Sequence, residues 1–190
     1  MTLSSANENT PAGPTSAQFY WAAAGMVAAT VWLVFFSDQP LLLSGLLYLN
    51  LVALALYDLR YFRLPNLLTF TLFVGGVVSV WLHPRFGQTH HIIGAVIGLL
   101  LFPTLNYVYR RLRGRDGIGL GDAKLLAGLG LWLGWQSLPP LLLIASASGL
   151  AFALVVGLTA KGQTSASKLN QPLPFGLFLC LGGWLTWLFL

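Results

Sequence analysis

Charged residues are scarce in this 190-residue sequence. They make up 8% of the chain, and five acidic residues stand against ten Lys and Arg. A soluble domain carries about 25% charged residues, so the composition excludes an ordinary water-exposed globular domain. The basic excess has no soluble scaffold behind it, and we therefore expect no nucleic-acid partner.

Cysteine is almost absent. The single Cys180 lies within an apolar run, which excludes a disulfide framework or a Cys-based zinc site within one chain and favours a packing role. The three histidines, His83, His90 and His91, fall in one loop. This loop is predicted on the membrane face opposite Asp58 and Asp122. We expect no metal and no cofactor.

Long apolar runs dominate instead, since 56% of the residues are hydrophobic. A run of 18 or more apolar residues is typical of a helix that spans a bilayer. The sequence predicts an all-α fold, a polytopic transmembrane helix bundle of about seven spans (six to seven). The predicted spans are 17–36, 41–57, 67–82, 91–109, 121–135, 140–160 and 174–190. Residues 1–16 are polar and lack Lys and Arg, so we expect a disordered N-terminal tail rather than a secretory signal.

The basic residues predict which loops face the cytoplasm. With the N-terminus inside, nearly all Lys and Arg lie in cytoplasmic segments and only Arg85 lies outside, in accord with the positive-inside rule. Asp58 then ends the second span as it reaches the cytoplasm, and Asp122 begins the fifth span as it leaves. The topology therefore predicts two carboxylates at the same depth on the same face of the membrane.

Asp58 and Asp122 each have a structural interpretation as well as a chemical one. Asp122 precedes a good helix start and could be its N-cap, while Asp58 could pair with Arg60 or Arg63, or simply mark the end of the lipid. An ionisable group held at a membrane boundary is otherwise a functional feature. Two nearby carboxylates share one proton, as aspartyl proteolysis requires. One carboxylate accepts a proton from the attacking water, and the other donates one to the carbonyl oxygen of the scissile bond.

Glycine occupies every second position before Asp122, at Gly117, Gly119 and Gly121. Such a segment has no side chains to block an extended substrate backbone, and it is able to adopt unusual dihedral angles. The alternative interpretation is a flexible loop before a helix.

Three short motifs resemble those of the type IV prepilin peptidases. The GxGD signature of that family is matched by Gly119-Leu120-Gly121-Asp122, followed by its usual Ala-Lys-Leu-Leu. Its first aspartate segment resembles Tyr57-Asp58-Leu59-Arg60 with Leu64-Pro65-Asn66 just after. The segment that opens its last helix resembles Leu173-Pro174-Phe175-Gly176. The motifs stand in the expected order, and the resemblance covers residues 51–190.

The resemblance implies a membrane aspartyl endopeptidase that removes the basic leader from type IV prepilins or pseudopilins, just before the substrate's hydrophobic helix. It implies a multi-pass protein of the bacterial inner membrane, with the active site facing the cytoplasm and with prepilin substrate and membrane lipid as partners. Residues 17–190 would form the transmembrane aspartyl peptidase domain, with Asp58 and Asp122 as the catalytic pair. The supporting loop and substrate-binding residues would be Gly119, Gly121, Lys124, Pro65 and Asn66.

The sequence departs from the long members of that family in one respect. Those members also methylate the new N-terminus, and they carry a cytoplasmic insert with paired cysteines near the first spans. Here only residues 37–40 separate the first two predicted spans, and the chain has no cysteine pair. We therefore expect peptidase activity without N-methylation.

Two other classes of function are compatible with the same residues. In a small proton- or cation-coupled transporter the aspartates would bind the ion, but such sites lie near the bilayer midplane, often in repeated halves, and we find no internal repeat. A non-enzymatic pilus or secretion assembly factor would tolerate replacement of both aspartates. A membrane protease with the same signature that cuts unrelated helices is a further alternative. The residues leave the pilin-like substrates and the oligomeric state open.

Overall fold

The computed structural model describes residues 40–82, 87–113, 119–159 and 174–189. These residues form six α-helices and a short 3-10 turn, Trp135–Ser137, without any β-strand. The helices are α1 (Leu41–Tyr61), α2 (Asn66–Leu82), α3 (Gln88–Arg113), α4 (Leu120–Leu133), α5 (Leu138–Thr159) and α6 (Phe175–Phe189). The predicted all-α fold is confirmed. The predicted tail 1–16 and first span 17–36 lie outside the described residues, as does His83.

Three stretches are long and apolar enough to cross a membrane, within the part of the chain that the structure describes. They are Leu41–Tyr61, Gln88–Leu112 and Trp135–Val155, and two shorter apolar helices, α2 and α6, accompany them. The helix α4 has only fourteen residues, which agrees with the short span predicted there. The expected total of about seven spans stays a prediction.

The short helix α4 is the centre of the bundle. Ten of its fourteen residues are buried, and it packs against α2, α3 and α6. The helix α1 packs on α2 and α6, while α5 packs on α6. Because α4 is surrounded in this way, its first turn is carried into the interior at one end of the bundle, and Asp122 is carried with it.

The contact between α3 and α4 is made by glycine. The backbones of Gly94 and Gly130 touch directly, and a Cβ atom at Gly98 would lie 2.5 Å from the carbonyl oxygen of Leu126. Real Cβ atoms do not approach a carbonyl oxygen so closely, so a larger residue at Gly98 would force the helices apart. Small residues at such positions let membrane helices pack backbone to backbone.

Indole side chains join α4 and α6 to their neighbours. The Trp132 N–H donates to the carbonyl oxygen of Leu72 over 2.8 Å, which links α4 to α2. The Trp187 N–H donates to the Ser44 hydroxyl over 3.0 Å, which links α6 to α1. In an apolar surrounding these bonds satisfy polar groups that would otherwise cost free energy.

Candidate active site

Asp58 lies in the last turn of α1 rather than beyond its end. The sequence predicts that the second span ends at Tyr57, yet the helix continues to Tyr61. It stops at Phe62, which takes a left-handed conformation with φ of 51° and donates its N–H to the carbonyl oxygen of Asp58 over 2.8 Å. The predicted end marked where the apolar run stops, whereas the helix itself runs on through polar residues.

The carboxylate of Asp58 is bound by the start of α6. The N–H of Leu177 donates to its Oδ2 over 3.0 Å, and the N–H of Gly176 interacts with the same group. The first N–H groups of a helix have no partner within the helix, and the dipole at this end attracts negative charge. Asp58 is 5% exposed, so these main-chain donors meet a carboxylate that water scarcely reaches.

Gly176 is glycine because the Asp58 carboxylate lies against its Cα atom. A Cβ atom at this position would be 2.8 Å from Oδ2 and 3.0 Å from Cγ of Asp58. Real Cβ atoms essentially never lie closer than 3.0 Å to another heavy atom, so both distances are at or below that limit. The sequence alone gives Gly176 no role beyond its place in the segment Leu173-Pro174-Phe175-Gly176. The only signal for it was the position of Pro174 and Gly176 at a predicted helix start.

The alternative interpretation of Asp58 as an ion-pair partner is not what the structure shows. Its partners are the main-chain N–H groups of α6. Arg60 instead lies over the ring of Tyr61, with its guanidinium carbon 5.8 Å from the ring centroid.

Asp122 lies in the first turn of α4, at the same end of the bundle as Asp58, since Leu64 packs near both Gly121 and the Gly176 that contacts Asp58. The two carboxylates are close enough for their charges to interact. The N-cap of α4 is Gly119, three residues earlier, so the alternative interpretation of Asp122 as the helix cap is wrong. Asp122 is partly exposed, in contrast to the buried Asp58. The structure therefore brings together one carboxylate fixed by main-chain donors and one that water is able to reach.

The glycines before Asp122 do not use special dihedral angles. Gly119 has φ of −71° and ψ of 136°, an extended conformation open to any residue, and Gly121 lies within α4. The conformational freedom that glycine offers is therefore not used at these two positions, since a glycine pattern indicates freedom without fixing an angle. A Cβ atom at Gly119 would lie 3.7 Å from Oδ2 of Asp122, an ordinary contact. What remains of the prediction is the open approach to Asp122.

Leu64 lies between the first turn of α4, which carries Asp122, and the start of α6, which binds Asp58. A Cβ atom at Gly121 would be 3.4 Å from Cβ of Leu64, and one at Gly176 would be 3.2 Å from its Cδ2. The reversal at Phe62 brings Leu64 to this place only six residues after Asp58. One aliphatic side chain thus separates the start of α4 from the start of α6.

Pro65, Asn66 and Lys124 lie beside the pair rather than in it. The Lys124 ammonium donates to Oδ1 of Asn66 over 2.8 Å, which ties the start of α2 to the first turn of α4. Pro65 precedes α2, and its carbonyl oxygen accepts the N–H of Thr69 over 3.2 Å. These residues fix the position of the connector that carries Leu64.

The two histidines that the structure describes, His90 and His91, lie away from the aspartates. His90 and His91 lie in the first turn of α3 rather than in a loop, because that helix begins at Gln88. Nδ1 of His91 lies 2.9 Å from the carbonyl oxygen of Leu131, near the end of α4 opposite Asp122. Within the described ranges, no group of three or more His, Cys, Asp or Glu side chains is arranged to hold a metal ion.

A bundle of apolar helices with neighbouring carboxylates at one end defines a multi-pass membrane protein with an acidic site. The chain belongs to the Type IV leader peptidase family, whose family model matches residues 45–154. That range contains Asp58 and Asp122 and ends before the start of α6. The predicted resemblance to this family is confirmed.

Several relatives bear the name prepilin leader peptidase/N-methyltransferase. The one from Burkholderia pseudomallei (strain K96243) is 38% identical over 169 residues, which cover 88% of this chain and 52% of the relative. The one from Aeromonas salmonicida is 40% identical over 136 residues, 72% and 45% of the two chains. The one from Dichelobacter nodosus is 34% identical over 164 residues, 85% and 54%. The chain thus spans about half the length of the curated relatives it matches, and no solved structure matches it.

Proposed function

We propose that this chain is an aspartic-type endopeptidase that removes the leader from type IV prepilins or pseudopilins at the cytoplasmic face of the bacterial inner membrane. The observation that carries the proposal is that the start of α6 binds the Asp58 carboxylate at the end of the bundle where α4 begins with Asp122. Membership of the Type IV leader peptidase family and the names of the relatives support the choice of substrate.

The chemistry follows from two carboxylates that share one proton. The ionised member accepts a proton from a water molecule as the water oxygen attacks the carbonyl carbon of the scissile bond. The protonated member donates its proton to the carbonyl oxygen, which gives a tetrahedral intermediate. When that intermediate collapses, the carbon–nitrogen bond breaks and the carboxyl group that took the proton from water gives it to the nitrogen. The other carboxylate takes a proton from a hydroxyl group of the intermediate, so the pair returns to its starting state. The proton belongs to the pair, so acid and base are roles of the dyad.

The two environments suit these roles. Main-chain donors and the close contact with Gly176 fix the orientation of the Asp58 carboxylate. Asp122 is partly exposed at the mouth of the bundle, where water and a peptide bond are able to approach. A fixed partner and an accessible partner supply the preorganisation that general acid–base catalysis requires.

The test is leader removal from a type IV prepilin co-expressed with the protein in membranes, followed by a gel shift. We expect cleavage by the wild type and its loss in Asp58→Asn and in Asp122→Asn. Each substitution removes one ionisable carboxyl group of the pair and keeps the shape of the side chain nearly constant. Asp116→Asn is the control, because it removes the same charge from a different acidic residue. Cleavage that persists in either test variant would contradict the aspartic mechanism. Absence of cleavage by the wild type would contradict the substrate.

A further inference from the structure

A long groove lies between α2 and α3, and α4 forms its floor. Its cavity volume is about 950 Å³. The helices α2 and α3 each pack on α4 but make few contacts with one another, which leaves the groove open along its length. We call it the α2–α3 groove. Its polar lining is confined to the two ends, with Asn66, Thr69 and Lys124 at one end and Gln88 at the other.

The groove has the shape of a seat for a helix. Its α2 wall presents Phe70, Phe73, Val77 and Trp81, at spacings of three and four residues that follow one helical face. Its floor includes the small Ala127. Large side chains along the walls and a small residue on the floor leave room for one face of an apolar helix. Such a helix would contact the groove through side chains at three- and four-residue spacing. From Asn66 to Trp81 the wall is about 22 Å long, at about 1.5 Å per helical residue.

One end of the groove opens beside the aspartate pair. Asn66 lies two residues after Leu64, which packs between Gly121 and the Gly176 that contacts Asp58, and Lys124 lies two residues after Asp122. Three extended residues cover about 10 Å. A helix seated in the groove would therefore have its end close enough for a short extended segment to reach Asp122.

We propose that the α2–α3 groove binds the apolar helix of the substrate and so positions the scissile bond at the aspartate pair. This inference rests on the proposed function. A peptide at this depth must satisfy its own backbone, so the occupant is a helix. Lys124 at the open end repels a basic leader. The apolar segment therefore occupies the groove, and the leader extends away from it, past Asp122.

Disulfide crosslinking tests the seat directly. The enzyme carries Asp122→Asn, so that uncut substrate remains bound, and Cys180→Ala, so that it has no thiol of its own. The substrate is a type IV prepilin with single cysteines at successive positions of its apolar segment. The readout is the crosslinked product in membranes, which does not depend on enzymatic activity.

Two pairs of enzyme positions compare the groove with the outer surface of the same helices. Phe73→Cys and Val96→Cys lie in the groove, at 42% and 50% exposure. Val78→Cys and Leu100→Cys are matched controls, at 44% and 56% exposure, outside the groove lining. We expect groove cysteines to crosslink at every third or fourth substrate position, at least tenfold more than the controls.

Each other outcome overturns the proposal in a recognisable way. Equal crosslinking at Val78→Cys and Phe73→Cys would show that the substrate helix contacts α2 without binding specifically in the groove. Groove cysteines that stay unlinked, while phospholipid co-purifies with the protein and is displaced by Val96→Trp, would assign the groove to lipid. Cleavage of the same prepilin by the wild type, measured in parallel, would leave the proposed function intact in both cases. Loss of that cleavage would contradict the proposed function itself.

Discussion

The Asp58 carboxylate lies against the Cα atom of Gly176, 2.8 Å from the place that a Cβ atom would occupy. The two residues are 118 positions apart in the chain and come from the end of one helix and the start of another. Their contact makes the start of α6 a part of the candidate site, although α6 contributes no acidic side chain.

We predict that Gly176→Ala lowers the rate of leader removal about tenfold to a hundredfold. The added methyl group displaces the carboxylate or the start of α6 by a fraction of an ångström or more, and small misplacements of catalytic groups have effects of this size. Initial rates on a prepilin in membranes measure the change. Gly45→Ala is the control, because nothing lies within 4 Å of a Cβ atom there. Equal rates in the two variants would show that the contact has no bearing on catalysis.

The aspartates should behave as one unit. We expect Asp58→Asn and Asp122→Asn each to lower the rate by about 10²- to 10⁴-fold, the usual contribution of a general acid or base. The double variant should be no slower than the slower single variant, because either change alone disables the pair. The measurement is the single-turnover rate of the four proteins. Multiplicative losses would mean that the two residues act independently, and the dyad would be rejected.

The hydrogen bond between Lys124 and Asn66 should contribute little to stability. Both groups are exposed, and an exposed bond to a charged group is worth at most about 1 kcal/mol. A double-mutant cycle of Lys124→Met and Asn66→Leu, followed by thermal unfolding in detergent, gives the coupling free energy. A value of several kcal/mol would indicate a more buried link than the structure shows.

The same variants should raise KM more than they lower kcat, if the mouth of the groove positions substrate.

We predict that this chain transfers no methyl group to the new N-terminus. Only residues 37–40 separate its first two predicted spans, and Cys180 is its single cysteine, so it holds no paired cysteines of the kind that the methylating relatives are expected to carry. The purified protein is incubated with prepilin and a labelled methyl donor, and the cleaved product is counted. Cleavage with label in the product would refute this prediction and leave the peptidase proposal in place.

The helices could be predicted from hydropathy because an apolar run in a membrane must satisfy its backbone internally. Their ends could not, since hydropathy reports where lipid contact stops. Helix α1 continues from Tyr57 to Tyr61, and α3 continues to Arg113, through residues that favour water. The topology that the basic residues predict and the family motifs both identified Asp58 and Asp122 as candidates. Sequence spacing could not show that the start of α6 binds Asp58, because that contact depends on packing between distant helices.

Glycine contacts hold both walls of the α2–α3 groove. On one side the α3 backbone touches α4 at Gly94 and Gly130. On the other, a Cβ atom at Gly75 or Gly76 of α2 would lie 2.9 Å or 3.0 Å from the ring of Trp132, so only glycine leaves room for that ring. Neither wall is free to move without opening a void or a clash. The width of the α2–α3 groove is therefore fixed before a ligand binds. Binding then costs the conformational entropy of the ligand but little of that of the protein. Specificity among apolar helices would then depend on the size of the side chains that they present to the groove.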